Sequence, residues 1–341
     1  MPRLFVESYS NFDFWNKIQI TSDDFVFPVD NFTDQWLSDI IKNNTIPAGL
    51  ISEYSFYKHP DFDIDHIGLP IWLEVEVANS KKFVFADPVI DTQFNFNFMI
   101  NKKRLTRFLL CKCIELYDLR NYDYTWSGDG REFDLSSLID DIQRSQYLSQ
   151  REKTFMLSGI TIPAKFIEFN NHDLGPYFNL GFWQSDLCKI FNKSAVSLIT
   201  ETIEDHQQAA MFTEKTLFSV LGFTFPVWVG SFAQAEHWKE MGFDAFDDII
   251  DHSYQYEKSI LDRVVRAIKD NLDLLRDTNF AHEQRRLCEP RFKNNKKLLL
   301  SGKVSEYTNS KINGLSPAAR KACEIARIVY SQKINGVYDL G

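Results

Sequence analysis

The order of apolar and polar residues predicts strands that alternate with helices in the middle of the chain. The stretch "QFNFNFMI" (Gln93 to Ile100) alternates before it becomes fully apolar, which indicates a strand, and "RLTRFLLCKCIELYDL" from Arg104 has helical apolar spacing. "SAVSLITET" (Ser194 to Thr202) is typical of a buried parallel strand, and a helix from Thr213 and the apolar strand "FPVWVG" follow it. This alternation predicts an α/β fold with a doubly wound parallel sheet.

Another helix is predicted after "FPVWVG", in the segment "SFAQAEHWKEMG". Ser231 suits the N-cap of this helix, and Gly242 suits its C-terminal end. On the other side of the sheet region, "IWLEVEV" from Ile71 and "KKFVFA" from Lys81 predict short strands. The start of the chain is therefore interpreted as a small α/β region.

The length of 341 residues predicts two domains, because a single core rarely grows beyond about 300 residues. We assign residues 1–90 to the N-terminal α/β region and residues 91–275 to a Rossmann-like domain. Residues 129–192 are irregular, with "FDLSSLIDDIQRSQYLSQREKTF" as their best helix, and are interpreted as an insertion. Residues 276–341 predict a helical, charged tail that contains the basic stretch "RRLCEPRFKNNKK".

Net charge and composition exclude some classes of protein. A formal charge of −9 gives no global attraction to nucleic acid or to an anionic membrane. No apolar run reaches the roughly 20 residues that span a bilayer, and the first residues do not resemble a signal peptide, so we expect a cytoplasmic protein without a membrane partner. The five cysteines fit a reducing compartment, and Cys111 and Cys113 lack a second pair at metal-ligand spacing.

A basic loop follows the first predicted strand of the sheet. "NKKRLTR" gathers Lys102, Lys103, Arg104 and Arg107 where a strand ends and a helix begins. Open α/β sheets bind ligands at the carboxyl ends of their strands, and helix N-termini together with Arg side chains hold phosphate. The loop predicts an anion site; the alternative is a solvated basic turn.

An acid and a base also open the helix that follows Thr213. The helix dipole favours Glu214 in the first turn but disfavours Lys215 there. A bound anion would explain the lysine, whereas the alternative is ordinary decoration of a helix start. Together with the basic loop, this pair predicts a nucleotide site.

The segment "FTEKTLFSVLGFTFPVWVG" resembles the nucleotide-sugar signature of the alpha-1,3-fucosyltransferases. In order, "NKKRLTRFLLCKCIEL", "SAVSLITETIED", "FTEKTLF" and "FPVWVGSFAQAEHWKEMGFDAFDDIIDHSY" resemble blocks of phage and bacterial proteins described as glycosyltransferase-like. The resemblance covers about residues 94–275. It places Glu214 and Lys215 on the ribose- and phosphate-contacting pair, Arg104 or Arg107 on the pyrophosphate-binding arginine, and Glu201 on the acid that closes the preceding strand. Met211 stands where fucosyltransferases carry an aromatic residue.

The resemblance implies a metal-independent glycosyltransferase with a GT-B-like fold and no cofactor. A nucleoside diphosphate sugar would be the donor substrate, bound by Lys103, Arg104, Arg107, Glu201, Thr213, Glu214 and Lys215. Lys215 and Arg107 would also balance the charge of the leaving diphosphate. Residues 1–90 would form the acceptor side of a cleft, with Glu74, Glu76 or the cluster from Asp61 to Asp65 as the base.

Several alternatives stay open. The acceptor is a modified phage DNA base, a protein or a glycan, and a viral protein would act in the host cytoplasm. A second hypothesis is a non-catalytic nucleotide-binding or structural module of a virus. The stretch "DFDIDH" contains D-x-D tripeptides that bind Mn²⁺ or Mg²⁺ in other glycosyltransferases, although a charged turn explains it as well. The sequence predicts no oligomeric state.

Overall fold

The protein is described here from a computed structural model. It describes the chain except for residues 9, 30–31, 33, 55, 81–84, 101–103, 127–135, 166–186, 202–208, 333–334 and 341. Lys102, Lys103 and most of the predicted strand "KKFVFA" lie outside the described residues.

The strands are numbered along the chain: β1 Arg3–Ser8, β2 Phe25–Val29, β3 Gly49–Ser52, β4 Phe56–Tyr57, β5 His66–Gly68, β6 Phe94–Ile100, β7 Tyr122–Trp126, β8 Ser194–Ile199, β9 Ala209–Ala210, β10 Phe225–Trp228 and β11 Gly336–Asp339. The helices are α1 Phe12–Trp15, α2 Asp34–Asn43, α3 Ile71–Ser80, α4 Leu105–Leu116, α5 Ser136–Arg144, α6 Gln150–Met156, α7 Cys188–Lys193, α8 Glu214–Leu221, α9 Gln234–Glu240, α10 Ile260–Lys269, α11 Leu272–Arg276, α12 Thr278–Leu287, α13 Glu289–Ser301, α14 Lys303–Asn313 and α15 Pro317–Gln332. A 3₁₀ turn covers Ser253–Tyr256.

The chain forms two compact units. The first contains Met1–Val75, Thr202–Phe212 and Gly302–Gly341, and the second contains Glu76–Glu201 and Thr213–Ser301. These limits differ from the boundaries predicted at residues 90 and 275. The predicted C-terminal segment is divided, because its first part belongs to the second unit and the rest returns to the first.

The first unit is built on a sheet with the strand order β11-β1-β2-β3-β5, in which β1, β2, β3 and β5 are parallel and β11 is antiparallel. Successive residues of a strand face opposite sides of a sheet. Leu4 and Phe27 accordingly pack with Ala322 and Ala326 of α15 on one side, whereas Phe5 and Val26 pack with residues of α2 on the other. The sheet is therefore covered on both faces.

The second unit contains a fully parallel sheet with the strand order β10-β8-β6-β7. All six residues of β8 are buried, as expected for a central strand with helices on both faces. The predicted α/β class and the parallel sheet are confirmed. The strands predicted from Gln93, Ser194 and Phe225 and the helices predicted from Arg104 and Thr213 are confirmed as well.

The prediction that "IWLEVEV" is a strand was wrong. The segment lies in α3, and the buried residues of this helix do not follow the strict alternation of a strand. They are Ile71, Leu73, Glu76, Val77 and Ser80. Pro70 starts the helix, since its carbonyl accepts a hydrogen bond from the Glu74 amide at 3.0 Å. Packing of the 3.6-residue period decided the structure over the local two-residue pattern.

The N-cap predicted at Ser231 was also wrong. Helix α9 begins at Gln234, and its N-cap is Ala233, whose φ of 50° is left-handed and whose side chain makes no cap hydrogen bond. Gly242 has φ of 91° just after the helix, which agrees with the predicted C-terminal end.

The predicted basic stretch in the tail is largely engaged in internal contacts. Arg285 is fully buried, Arg291 pairs with Asp244 and Asp248, and Lys296 donates to Asp87 Oδ1 at 2.8 Å. Arg286, Lys293 and Lys297 of the stretch remain exposed. Among the helices that the structure describes, none combines the length and the apolar character needed to cross a bilayer.

Candidate functional site

The connections of the second sheet reverse direction between β6 and β8. From β6 the chain passes through α4 to β7, and from β8 it passes through α8 to β10, which lies on the opposite side. Ligands of open α/β sheets bind at such a topological switch point, outside the carboxyl ends of the strands. Helices α4 and α8 both begin at this edge. The predicted site residues in their first turns therefore lie at one end of the sheet.

Glu201 fixes the first turn of α8. It follows β8 and is buried, and its carboxylate accepts hydrogen bonds from the Thr213 amide at 3.1 Å, from the Thr213 hydroxyl and from the Thr216 hydroxyl at 2.7 Å. The Thr216 hydroxyl in turn accepts the indole N–H of Trp228 at 2.9 Å. Burial raises the pKa of Glu201, while Lys215 and the two hydroxyl groups act against that shift. These contacts are those of a residue that positions the helix.

Thr213 is the N-cap of α8, as predicted, because its hydroxyl accepts the Lys215 amide. The ammonium of Lys215 lies 3.0 Å from a Glu214 carboxylate oxygen and 3.5 Å from the Thr213 hydroxyl. Burial raises the pKa of Glu214, but the ion pair and the hydrogen bond with Lys215 dominate, so the net shift is downward. The carboxylate of Glu214 therefore stabilises the Lys215 ammonium at this helix start without a bound anion.

The Glu214–Lys215 pair keeps some contact with solvent. The Glu214 side chain is 21% exposed and that of Lys215 is 10% exposed. The pair is thus at the edge of the sheet and is not sealed in the core.

Arg107 is the basic residue of the predicted loop "NKKRLTR" that lies in α4. It lies in the first turn of α4 and is buried, and burial lowers the pKa of its guanidinium to about 10, with a further lowering by Arg104. The carboxylates of Glu214 and Glu201 oppose this shift. Arg107 and Glu214 are thus close enough to influence each other although more than a hundred residues separate them.

Among the described residues, three cations belong to the first turns of the two helices that begin at this edge: Arg104 and Arg107 at α4 and Lys215 at α8. The N-terminus of a helix favours anions, and Arg and Lys side chains bind phosphate there. A diphosphate is an anion of suitable charge.

The loop after β10 packs against α4. Gly230 has φ of 85°, and a Cβ at this position would lie 2.8 Å from Cγ2 of Thr106. The buried Arg263 donates from Nε to the Gly230 carbonyl at 2.9 Å and from Nη1 to the Glu257 carbonyl at 2.8 Å. The loop is therefore fixed by its backbone.

The residues predicted as catalytic bases have different surroundings. Glu74 forms an ion pair with Arg327 inside the first unit. Glu76 is buried and belongs to the second unit. Asp61, Asp63 and Asp65 are exposed, and among the described residues no group of three His, Cys, Asp or Glu side chains is arranged to hold a metal ion.

A cavity of about 550 Å³ lies elsewhere in the second unit. Its lining shares no residue with the switch-point site and includes Glu236, Asp247, Asp248 and Asp251. Two of these carboxylates already bind cations, since Lys239 pairs with Asp247 and Arg291 pairs with Asp248. The acidic lining opposes a diphosphate.

Sequence reasoning missed Arg263, Thr216 and Trp228 as residues that position the site. The signal for Trp228 and Thr216 was present, since both lie within "FTEKTLFSVLGFTFPVWVG", which contains the T-E-K tripeptide Thr213 to Lys215. Only the fold shows that they bond to each other. In comparisons with protein-family models, curated proteins and solved structures, no match to the chain was found.

Proposed function

We propose that the protein is a glycosyltransferase that binds a nucleoside diphosphate sugar at the switch point between β6 and β8. The observation that carries the proposal is that Arg104, Arg107 and Lys215 stand at the starts of the two helices that begin at this edge. The T-E-K segment supports the assignment to sugar transfer, because it stands at the start of α8.

Each site residue has a role in this proposal. Arg107 and Lys215 bind the diphosphate and balance the negative charge that grows on it as the sugar leaves. Glu214 accepts hydrogen bonds from the ribose hydroxyls, and Glu201 keeps the first turn of α8 in place. Each of the two α/β units contains parallel strands, which is compatible with a GT-B-like fold in which the second unit holds the donor.

The test is a titration by calorimetry with UDP, GDP, ADP, CDP and dTDP. Lys215→Met and Arg107→Met should each weaken binding of the preferred nucleotide by about ten-fold to a hundred-fold, because a hydrogen bond to a charged group contributes roughly 1.5–3 kcal/mol. Lys239→Met is the matched control, because Lys239 lies in the same unit, is exposed and pairs with Asp247. Circular dichroism verifies folding of each variant.

Transfer itself is tested by the release of nucleoside diphosphate from nucleotide sugars, with water or added glycans, protein and modified DNA as acceptors. We expect release in the presence of EDTA. Binding of no nucleotide by the wild type would refute the proposal, and release that requires added Mn²⁺ would direct attention to Asp61, Asp63 and Asp65.

A nucleotide-binding module without turnover is the second candidate. One observation favours it: the carboxylate of Glu74, a predicted base, is engaged by Arg327. Nucleotide binding without release of nucleoside diphosphate from any tested nucleotide sugar would identify this function.

A further inference from the structure

Two buried hydroxyl groups of the second unit differ from the other buried Ser and Thr hydroxyl groups in their hydrogen bonding. Thr200 and Ser231 are each 1% exposed, and neither side-chain oxygen has a hydrogen-bond partner among the described residues. A buried hydroxyl without a hydrogen-bond partner destabilises a fold, so such a group requires an explanation.

The other buried Ser and Thr side chains described in this unit are hydrogen-bonded. Ser197 and Ser219 both bond to the Thr224 hydroxyl, at 2.6 and 2.9 Å. The same holds for Ser80, Ser145, Ser194, Thr213 and Thr216. The other buried Ser and Thr hydroxyl groups described in this unit therefore all have hydrogen-bond partners within the fold.

Both exceptions lie at the same edge of the sheet. Thr200 directly follows β8, and Ser231 follows β10 by way of Gly230. In the parallel register Ile199 is level with Trp228, and the Val229 amide donates to the Ile199 carbonyl at 2.7 Å. Thr200 is therefore level with Val229, two positions from Ser231, and both adjoin Glu201 or the loop that contacts α4.

The fold does not depend on these two hydroxyl groups. The loop that carries Ser231 is held by the Arg263 bond to the Gly230 carbonyl and by the contact of Gly230 with Thr106. Ser231 was expected to cap α9, but the cap position is Ala233. A hydroxyl without a structural role at the cationic edge of a parallel sheet fits a group reserved for a ligand.

We propose, on the premise of the function proposed above, that Thr200 and Ser231 donate hydrogen bonds to the diphosphate of the donor. They act with Arg107 and Lys215, so that two neutral donors complement the cations. Both oxygens are covered in this structure, so the side chains that cover them move aside when the diphosphate enters.

The experiment measures affinity and stability on the same variants. Thr200→Val and Ser231→Ala remove the hydroxyl groups with little change of shape. Ser219→Ala is the matched control, because the Ser219 hydroxyl is buried and donates to the Thr224 carbonyl at 3.0 Å. Calorimetry gives the dissociation constants of inorganic pyrophosphate and of the preferred nucleoside diphosphate, and thermal unfolding without ligand gives Tm.

We expect Thr200→Val and Ser231→Ala to weaken binding of both probes about ten-fold, with Tm unchanged or raised. Ser219→Ala should lower Tm and leave both affinities unchanged. Unchanged affinities in Thr200→Val and Ser231→Ala, with normal nucleotide binding by the wild type, would overturn this inference and leave the proposed function standing.

The remaining outcomes separate the two proposals. Pyrophosphate binding that depends on the two hydroxyl groups, without binding of any nucleotide, would support the anion site and refute the proposed function. A wild type that binds neither probe would overturn both.

Discussion

At the scale of single residues, Gly230 joins the loop after β10 to the first turn of α4. Its φ of 85° disfavours any residue with a Cβ, and that Cβ would meet Thr106 at 2.8 Å. Gly230→Ala should therefore lower the free energy of unfolding by roughly 2 kcal/mol or more. Urea denaturation measures this difference.

Two other glycines distinguish the effect of backbone strain from that of a steric contact with the new Cβ. Gly302 has φ of 96° but open space around its Cβ position, and Gly159 has open space without a positive φ. The loss should decrease in the order Gly230→Ala, Gly302→Ala, Gly159→Ala. Equal losses at Gly230 and Gly302 would show that the contact with Thr106 does not matter.

Glu201 predicts a pH dependence of stability. Its pKa is raised in the folded chain by burial, so the folded state holds the proton more tightly than the unfolded state does. The contribution of the group is most favourable below its ordinary value of 4.5, and it is lost as pH rises through the higher folded pKa. Glu201→Gln keeps the neutral form at every pH.

The stability of Glu201→Gln relative to the wild type should therefore increase as pH rises from about 4.5, by at most roughly 1.4 kcal/mol per pH unit. Urea denaturation at intervals of one pH unit from 4 to 8 measures the trend. A relative stability that falls with pH would contradict the raised pKa of buried Glu201.

At the scale of elements, α8 is fixed at both ends. Glu201 binds its first turn, and at its C-terminal end the buried Arg285 donates to the carbonyls of Gly222 and Phe223, each at 2.8 Å. Burial lowers the pKa of Arg285 to about 10. The helix that carries Glu214 and Lys215 is thus held by the buried Glu201 at its start and by the buried Arg285 at its end.

Arg285→Met should lower the free energy of unfolding by roughly 2–4 kcal/mol, because it leaves these buried carbonyls without their charged donor. Arg286→Met is the control, since Arg286 is the exposed neighbour on the same helix. Chemical denaturation measures the free energy of unfolding of both variants. A similar, small effect of the two substitutions would mean that water replaces the guanidinium without cost.

The elements that the sequence predicted well are those whose local pattern agrees with their packing. β8 is apolar in sequence and buried along its length, and Thr213 is both a good N-cap residue and the observed one. In α3 the two disagree, since the sequence alternates while burial follows a helical period. The bond between Trp228 and Thr216 depends on how β10 and α8 pack, which no local pattern encodes.

At the scale of the whole molecule, the end of the chain completes the first unit. Ala319, Ala322, Cys323, Ala326 and Val329 of α15 are buried with residues of β1, β2 and β3, and β11 pairs with β1 along its edge. The apolar stripe of α15 was visible in the sequence, but its partner strands lie some three hundred residues earlier. This long-range pairing is why the predicted boundaries at residues 90 and 275 differ from the observed units.

A chain that ends after Ser301 should therefore lose the first unit and keep the core of the second. Removal of α15 exposes one apolar face of the sheet, and removal of β11 leaves the backbone groups along the edge of β1 unpaired. Limited proteolysis with mass spectrometry should detect rapid cleavage within residues 1–75, while the segments of β6, β8 and β10 stay protected. A chain that lacks only residues 336–341 should show a smaller increase in cleavage, since α15 still covers the sheet. Equal protection of residues 1–75 in the full-length chain and in the chain ending at Ser301 would show that the first unit folds without its C-terminal part.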